Sequence, residues 1–229
     1  MREIVIDTET TGLNFRSGDR IIEVGCVELI NHVSTNNTLQ FYCKTDKEIS
    51  ESAKKVSGIS NEFLKDKKTF EENHQELLSF IKNDVLIIHN SDFDMGFINN
   101  ELSIIGKPPL KNKVIDTVSL ARKVLNTRIA NLDYLCRRFD IDLSERKLHG
   151  ALLDSHLLAE VYLELNGGKQ ISMELYSGEK KTENKKTTQT KRGYNFIKIQ
   201  ANKEELLQHK LNLKQIKDPL WEKFTTKNN

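Results

Sequence analysis

The chain has 229 residues, 37% hydrophobic and 30% charged, with three cysteines and a formal charge of +2; that suffices for one full domain with a polar extension. No apolar run approaches the roughly 20 residues that span a bilayer, and Cys26, Cys43 and Cys136 are scattered with no C-x-x-C, which excludes a disulfide framework or a cysteine zinc site. The charge is uneven: residues 1–176 hold 22 basic and 27 acidic residues, 177–193 six and two, and 194–229 seven and four, so nucleic acid bound by the large acidic part would need cations at the site.

The first stretch, Ile4-Val5-Ile6, runs straight into Asp7-Thr8-Glu9 and a Thr10-Thr11-Gly12 turn. No hydrophobic leader precedes it, so a cytoplasmic protein is expected. In a strand, i and i+2 share a face, which sets Asp7 beside Glu9 at the strand end. Two such carboxylates repel unless one is protonated or a cation lies between them; the alternative is a solvated strand end with two surface acids. Residues 20–32 read as a second strand. Residues 38–44 read as a third, after a polar turn at Ser34-Thr35-Asn36-Asn37, which predicts an antiparallel meander. Helices follow at 50–57 and 69–82, the latter with Phe70, Leu77, Leu78 and Ile81 on one face. Val85-Leu86-Ile87-Ile88 is a buried strand. Helix 92–105, a loop at Pro108-Pro109, a strand at 113–116 and helices at 117–125, 131–138 and about 150–165 complete an α/β domain, a mixed sheet covered by helices.

Gly167-Gly168 closes the last helix and sets the domain at 1–168. Residues 177–193 are almost free of apolar side chains and read, with 169–176, as a flexible basic linker over 169–193. In 194–229, Tyr194–Ile199 alternates as a strand and Asn202 with Glu205 reads as a helix cap. Leu206, Leu207, Leu211, Leu213 and Ile216 then form an apolar stripe, with Leu220, Trp221 and Phe224 beyond. Too short to fold alone, this piece needs a partner surface, or else packs back on the domain.

Two further places carry chemistry. Asn90-Ser91-Asp92-Phe93-Asp94 follows the buried strand, where α/β sheets place their sites; Ser91-x-x-Asp94 also fits a capping box. In His149-Gly150-Ala151-Leu152-Leu153-Asp154, positions i and i+5 diverge on a helix. His149 is therefore expected in the preceding loop, and Asp154 on the helix amid leucines, where an unpartnered carboxylate is costly. His149 suits a general base near neutral pH, the alternative being an exposed loop histidine. Two divalent ions would balance Asp7, Glu9, Asp94 and Asp154. Removing Asp7 or Asp154 should then abolish activity and leave metal-free stability unchanged or raised.

Asp-x-Glu, a mid-chain Asp in Asn-x-x-Phe-Asp, and His-x-x-x-x-Asp in this order resemble the DEDDh 3′→5′ exonucleases. Asp7–Gly12 and His149–Asp154, followed by Leu158-Ala159-Glu160-Val161-Tyr162, are similar to the proofreading subunits of bacterial DNA polymerase III. The resemblance implies an RNase H-like fold with a mixed five-stranded sheet and helices on both faces. It implies two Mg²⁺ or Mn²⁺ ions on Asp7, Glu9, Asp94 and Asp154, with His149 as base, and release of 5′-monophosphates from a DNA 3′ end. Glu9, Thr10, His89 and Asn90 are the expected substrate contacts, although Thr10 and Thr11 equally make a turn and the plainer reading of His89 and Asn90 is a strand-end hydrogen bond. Asp116 reads as an N-cap, and Ser57-Gly58-Ile59 resembles the family's loop near the terminal base or an ordinary helix stop. The resemblance makes 194–229 the anchor to the polymerase's catalytic subunit, with Trp221 as its hot spot. Gln170-Ile171-Ser172-Met173-Glu174-Leu175 resembles a sliding-clamp-binding peptide. Two other readings are a free-standing RNA or oligonucleotide exonuclease with the same site, and a non-catalytic polymerase adaptor.

Overall fold

The computed structural model describes residues 1–167 and 202–214. Strands β1 (Arg2–Thr10), β2 (Ile21–Ile30), β3 (Val33–Tyr42), β4 (Val85–Ile88) and β5 (Val114–Asp116) form one sheet in the order β3-β2-β1-β4-β5. The β1–β2 and β2–β3 pairs are antiparallel, and β1–β4 and β4–β5 are parallel. The helices are α1 (Glu51–Ser57), α2 (Asn61–Leu64), α3 (Phe70–Ile81), α4 (Ser91–Ile104), α5 (Thr117–Leu125), α6 (Leu132–Arg138), α7 (Ala151–Leu165) and α8 (Lys203–Lys214). The mixed sheet with helices on both faces is the architecture the sequence predicts. None of the described helices is long and apolar enough to cross a membrane.

Alternation along β1 builds both cores at once. Ile4 and Ile6 pack with Phe70, Leu77 and Ile81 of α3 and Phe97, Ile98 and Leu102 of α4. Val5 faces the other way, into Ala121 of α5, Leu135 of α6 and Leu157, Leu158 and Val161 of α7. Each fully buried Leu or Ile contributes about 1.5–3 kcal/mol. Because β1 and β4 are parallel neighbours inside the sheet, α4 begins where β1 ends, at the C-terminal ends of these strands.

One local prediction is corrected, and one short helix was not predicted. The turn between β2 and β3 is not Ser34–Asn37 but Asn31-His32, whose φ values of 52° and 68° are those of a two-residue hairpin turn. The polar residues continue the strand, where an outer strand tolerates them. Helix α2 went unread because four residues carry no periodicity; Ser60 caps it, accepting from the Phe63 N–H. Helix α3 matches the expected span within a residue at each end and begins with a full Thr69–Glu72 capping box.

Gly25 of β2 sets how closely α7 can approach. A Cβ there would lie 2.2 Å from the backbone of Ala151 and Leu152, and the Ser155 hydroxyl donates to the Gly25 carbonyl at 3.0 Å. Gly25→Ala is expected to push the first turn of α7, and Asp154 with it, off the sheet, at a cost of about 1–3 kcal/mol. Thermal denaturation alongside amide hydrogen exchange of α7 checks this; unchanged melting and exchange would mean that the helix yields freely.

Helix α8 belongs to a second unit. Asn202 and Glu205 exchange backbone-to-side-chain hydrogen bonds at 2.8 Å, the cap the sequence predicts. Leu206, Leu207 and Leu211 of its apolar stripe are exposed. The expected linker, the Gln170–Leu175 peptide, the Tyr194–Ile199 strand, Ile216, Leu220, Trp221 and Phe224 lie outside the described residues.

Candidate active site

Asp7 and Glu9 have the parity of Val5, so both project toward the α7 face of the sheet. Across the β1–β2 ladder Asp7 pairs with Gly25 and Glu9 with Glu23. Asp94 lies in the first turn of α4, buried, and accepts from the Thr8 hydroxyl at 2.7 Å. The expected Ser91–Asp94 capping box does not form: Asn90 holds the N-cap position with φ 66° and ψ 60° and makes no capping bond. The Asp94 side chain thus points to β1 instead of closing its own helix. Asp154 lies buried in the first turn of α7. Both of its oxygens accept from Arg146, Nε at 2.6 Å and Nη2 at 2.7 Å. His149 sits in the loop before α7, its N–H bonded to the Val56 carbonyl at 2.9 Å.

One ligand atom from each of Glu9, His149 and Asp154 lies within 4.8 Å of the others. The Asp7 carboxyl is pushed well above the usual carboxylate range, first by burial and then by the charges of Asp94, Glu9, Asp154 and Glu23. Burial likewise raises Glu9 to about 7, against the opposing pull of His149. Asp94 rises to about 7 through burial, moderated by the Thr8 hydrogen bond. Asp154 differs: burial pulls it up, but Arg146 and His149 together hold it below the ordinary value. His149 is raised, chiefly by Asp154, with burial and Arg146 opposing. A crowd of oxygen ligands this short of positive charge fits hard divalent cations, and Asp7, Glu9, Asp94 and Asp154 are the residues that could hold them.

The His149 ring is shared. Its Nδ1 lies 3.0 Å from Arg146 Nη2 and 3.3 Å from Asp154 Oδ2. Arginine can only donate and the carboxylate can only accept. A neutral ring with its lone pair on Nδ1 therefore bonds to Arg146, and a protonated one to Asp154.

These shifts fix a pH dependence. An acid whose folded value is raised keeps its proton after the unfolded chain has released it, so stability falls as pH rises from the unfolded to the folded value. For Glu9 and Asp94 that window runs from 4.5 and 3.8 respectively up to about 7, and Asp7 adds in the same sense. Asp154, lowered, contributes stability that is lost only on acidification below this window. In chelator, the melting temperature is expected to fall by several degrees from pH 5 to pH 8, and saturating Mg²⁺ should reduce the fall. A flat or rising profile in chelator would contradict the crowding.

Around the acids lie two recesses. Asp7, His89, Asn131, Asp133, Arg137, Arg146, His149 and Asp154 line a cleft of about 400 Å³. Beside it Glu9, Thr10, Leu13, Val56 and Phe93 border a hollow of about 220 Å³. His89 lines the first while its Nδ1 pairs with the Thr117 hydroxyl at 2.9 Å. The Thr10 hydroxyl donates to the Gly12 carbonyl at 2.6 Å, and the Thr11 hydroxyl accepts from the Arg20 N–H at 3.0 Å, so both threonines build the turn. Asp116 caps α5, as expected. Gly58, with φ 72°, stops α1, which is the plainer of the two readings of Ser57-Gly58-Ile59.

Sequence reading missed three contributors. Glu23 is buried opposite Glu9, its Oε1 accepting from Gln40 Nε2 at 2.7 Å; the strand register would have exposed it. Gly25 carries no chemistry, and Arg146 is one basic residue among many until its partners are known.

Against known proteins, a family model described as "Exonuclease" matches residues 4–162. The DNA polymerase III subunit epsilon of Rickettsia felis is 44% identical over 216 residues, covering 92% of this chain and 94% of that one. The DNA polymerase III subunit epsilon of Escherichia coli K12 is 45% identical over 176 residues, 73% of this chain and 72% of that one. Among solved structures, the nuclease domain of 3'hExo, a DEDDh family member bound to rAMP, superposes with a TM-score of 0.63 at 20% identity, covering 72% of this chain and 92% of that one. Exonuclease X in complex with 5'-overhanging duplex DNA gives 0.58 at 22%, covering 71% and 90%; both share the fold. With the acidic cleft, these matches place the chain plainly: it belongs to the exonuclease family, among the epsilon subunits of DNA polymerase III, and is a 3′→5′ proofreading exonuclease.

Proposed function

We propose that Asp7, Glu9, Asp94 and Asp154 hold two divalent ions, Mg²⁺ or Mn²⁺, and that His149 is the general base of 3′-terminal hydrolysis. The observation that carries this is the convergence of four carboxylates from β1, α4 and α7 at the C-terminal end of the central strand, with a half-exposed imidazole beside them. Bound there, two such ions would activate water and stabilise the leaving 3′ oxygen. The chain's own residues do the rest. Glu9 and Thr10 border the hollow in which the terminal nucleotide would sit. His89 lines the neighbouring cleft, and Asn90 begins α4 next to it. His149, 46% exposed at its side chain, can take a proton at the mouth of the site and pass it to solvent. Thr8 keeps Asp94 aimed at β1.

The domain assignment we favour is an exonuclease domain over 1–168, a linker over 169–193 and a polymerase-binding segment over 194–229 that docks on the polymerase's catalytic subunit in the cytoplasm. The exposed leucines of α8 support such a docking. The Gln170–Leu175 peptide is proposed to touch the sliding clamp.

Single-turnover digestion of matched and 3′-mismatched primer–template DNA, beside an RNA oligonucleotide, tests this. The strand must leave its duplex to reach the acids, and a mismatch lowers that cost by a few kcal/mol. The mismatched end should therefore be cut faster by about tenfold or more, with 5′-monophosphates as products. Equal rates on both ends, or faster cutting of RNA, would contradict it.

A further inference from the structure

We propose that Arg146 is a positioning residue for the reaction, acting on His149 by fastening the segment that carries it; this rests on the reading of His149 as the base. Within residues 144–149, Ser144, Glu145, Lys147, Leu148 and His149 are exposed, and Arg146 is the residue that turns inward, its side chain 7% exposed. The guanidinium spans three partners. Nε and Nη2 grip the two oxygens of Asp154 at 2.6 and 2.7 Å, Nη1 donates to Asp133 of α6, and Nη2 lies 3.0 Å from His149 Nδ1. Arg146 thus ties the loop to the helix before it and the helix after it, three residues from His149.

The target is His149 and not Asp154. Asp154 belongs to α7, which is packed into the core and bonded to Gly25 through Ser155, so its backbone is placed without Arg146. His149 lies outside the helix; besides Arg146, it is tied by its backbone N–H bond to Val56 and by the 3.3 Å approach of its Nδ1 to Asp154 Oδ2, which holds only a protonated ring. A planar fork with five N–H donors can meet all three groups together, whereas a lysine ammonium is a single point charge.

The test uses the full-length protein. In metal-free protein, Arg146→Ala should speed amide hydrogen exchange of residues 144–149 by about tenfold or more. With metal, kcat should fall about ten- to hundredfold, with KM for the oligonucleotide little changed, the scale of a misplaced catalytic group. Arg146→Lys should recover part of the kcat. In a His149→Ala background, adding Arg146→Ala should change kcat by less than about twofold, since coupled residues are not additive. Unchanged exchange, or a loosened loop with full kcat, would overturn the proposal. So would a full additional loss in the His149→Ala background, which would put the action of Arg146 elsewhere. If His149→Ala alone kept the wild-type kcat, the base reading would fail and take this proposal with it. If His149→Ala were slow and Arg146→Ala fast, the base reading would stand and this proposal alone would fall.

Discussion

Asp7→Asn is expected to give a folded, inactive protein that melts higher than wild type in chelator. Asp7 stands among Asp94, Glu9, Asp154 and Glu23, which, after burial, are what push its carboxyl up. Neutralising it removes repulsion that the metal-free fold carries. It also removes a proposed metal ligand; losing several kcal/mol of charge stabilisation in the transition state would slow the reaction by about 10³-fold or more. Asp154→Asn should be equally inactive, but here the structure revises what the sequence alone predicts. Both oxygens of Asp154 are engaged by Arg146. Neutralising the acid leaves a largely buried guanidinium short of its partner, and breaking such a pair costs about 3–5 kcal/mol. Asp154→Asn is therefore expected to lower the metal-free melting temperature, opposite in sign to Asp7→Asn. Calorimetry of the two variants in chelator checks the contrast. Equal shifts would mean that Arg146 does not hold Asp154 in solution.

His149→Ala is expected to lose about 10²–10⁴ in kcat, the usual worth of a general base, while the carboxylates keep their cations. The wild-type rate should climb with pH until the His149 imidazolium, raised above its ordinary value by Asp154, has lost its proton. Only the neutral ring can accept one. The variant should lack that limb of the profile. A wild-type profile that is flat through neutral pH, or a variant that retains the limb, would assign the titration to another group.

The sheet was legible in the sequence because its strands are apolar runs ending in punctuation. Ile4–Ile6 stops at an acidic pair, and Val85–Ile88 stops at a helix start. The acids were legible because strand parity places Asp7 beside Glu9, and because Asp154 among leucines demands a reason. What stayed hidden depends on register or on partners distant in sequence. Glu23 faces Glu9 only once β2 is aligned. Gly25 matters only because α7 lands on it, 126 positions later at Ala151. Asp94 looked like a helix cap because the Ser91–Asp94 spacing is local, whereas its actual partner, Thr8, is 86 residues away. Arg146 carries no signal of its own in the sequence; its role shows only in the structure, where Asp133 and Asp154 close around it.

Bound Mn²⁺ in the full-length protein can be counted by titration calorimetry with electron paramagnetic resonance. Two ions per chain are expected, close enough to broaden each other's spectrum, with at least one lost in Asp7→Asn. Binding of no Mn²⁺ at millimolar concentration, or a stoichiometry that Asp7→Asn leaves unchanged, would contradict the two-ion site.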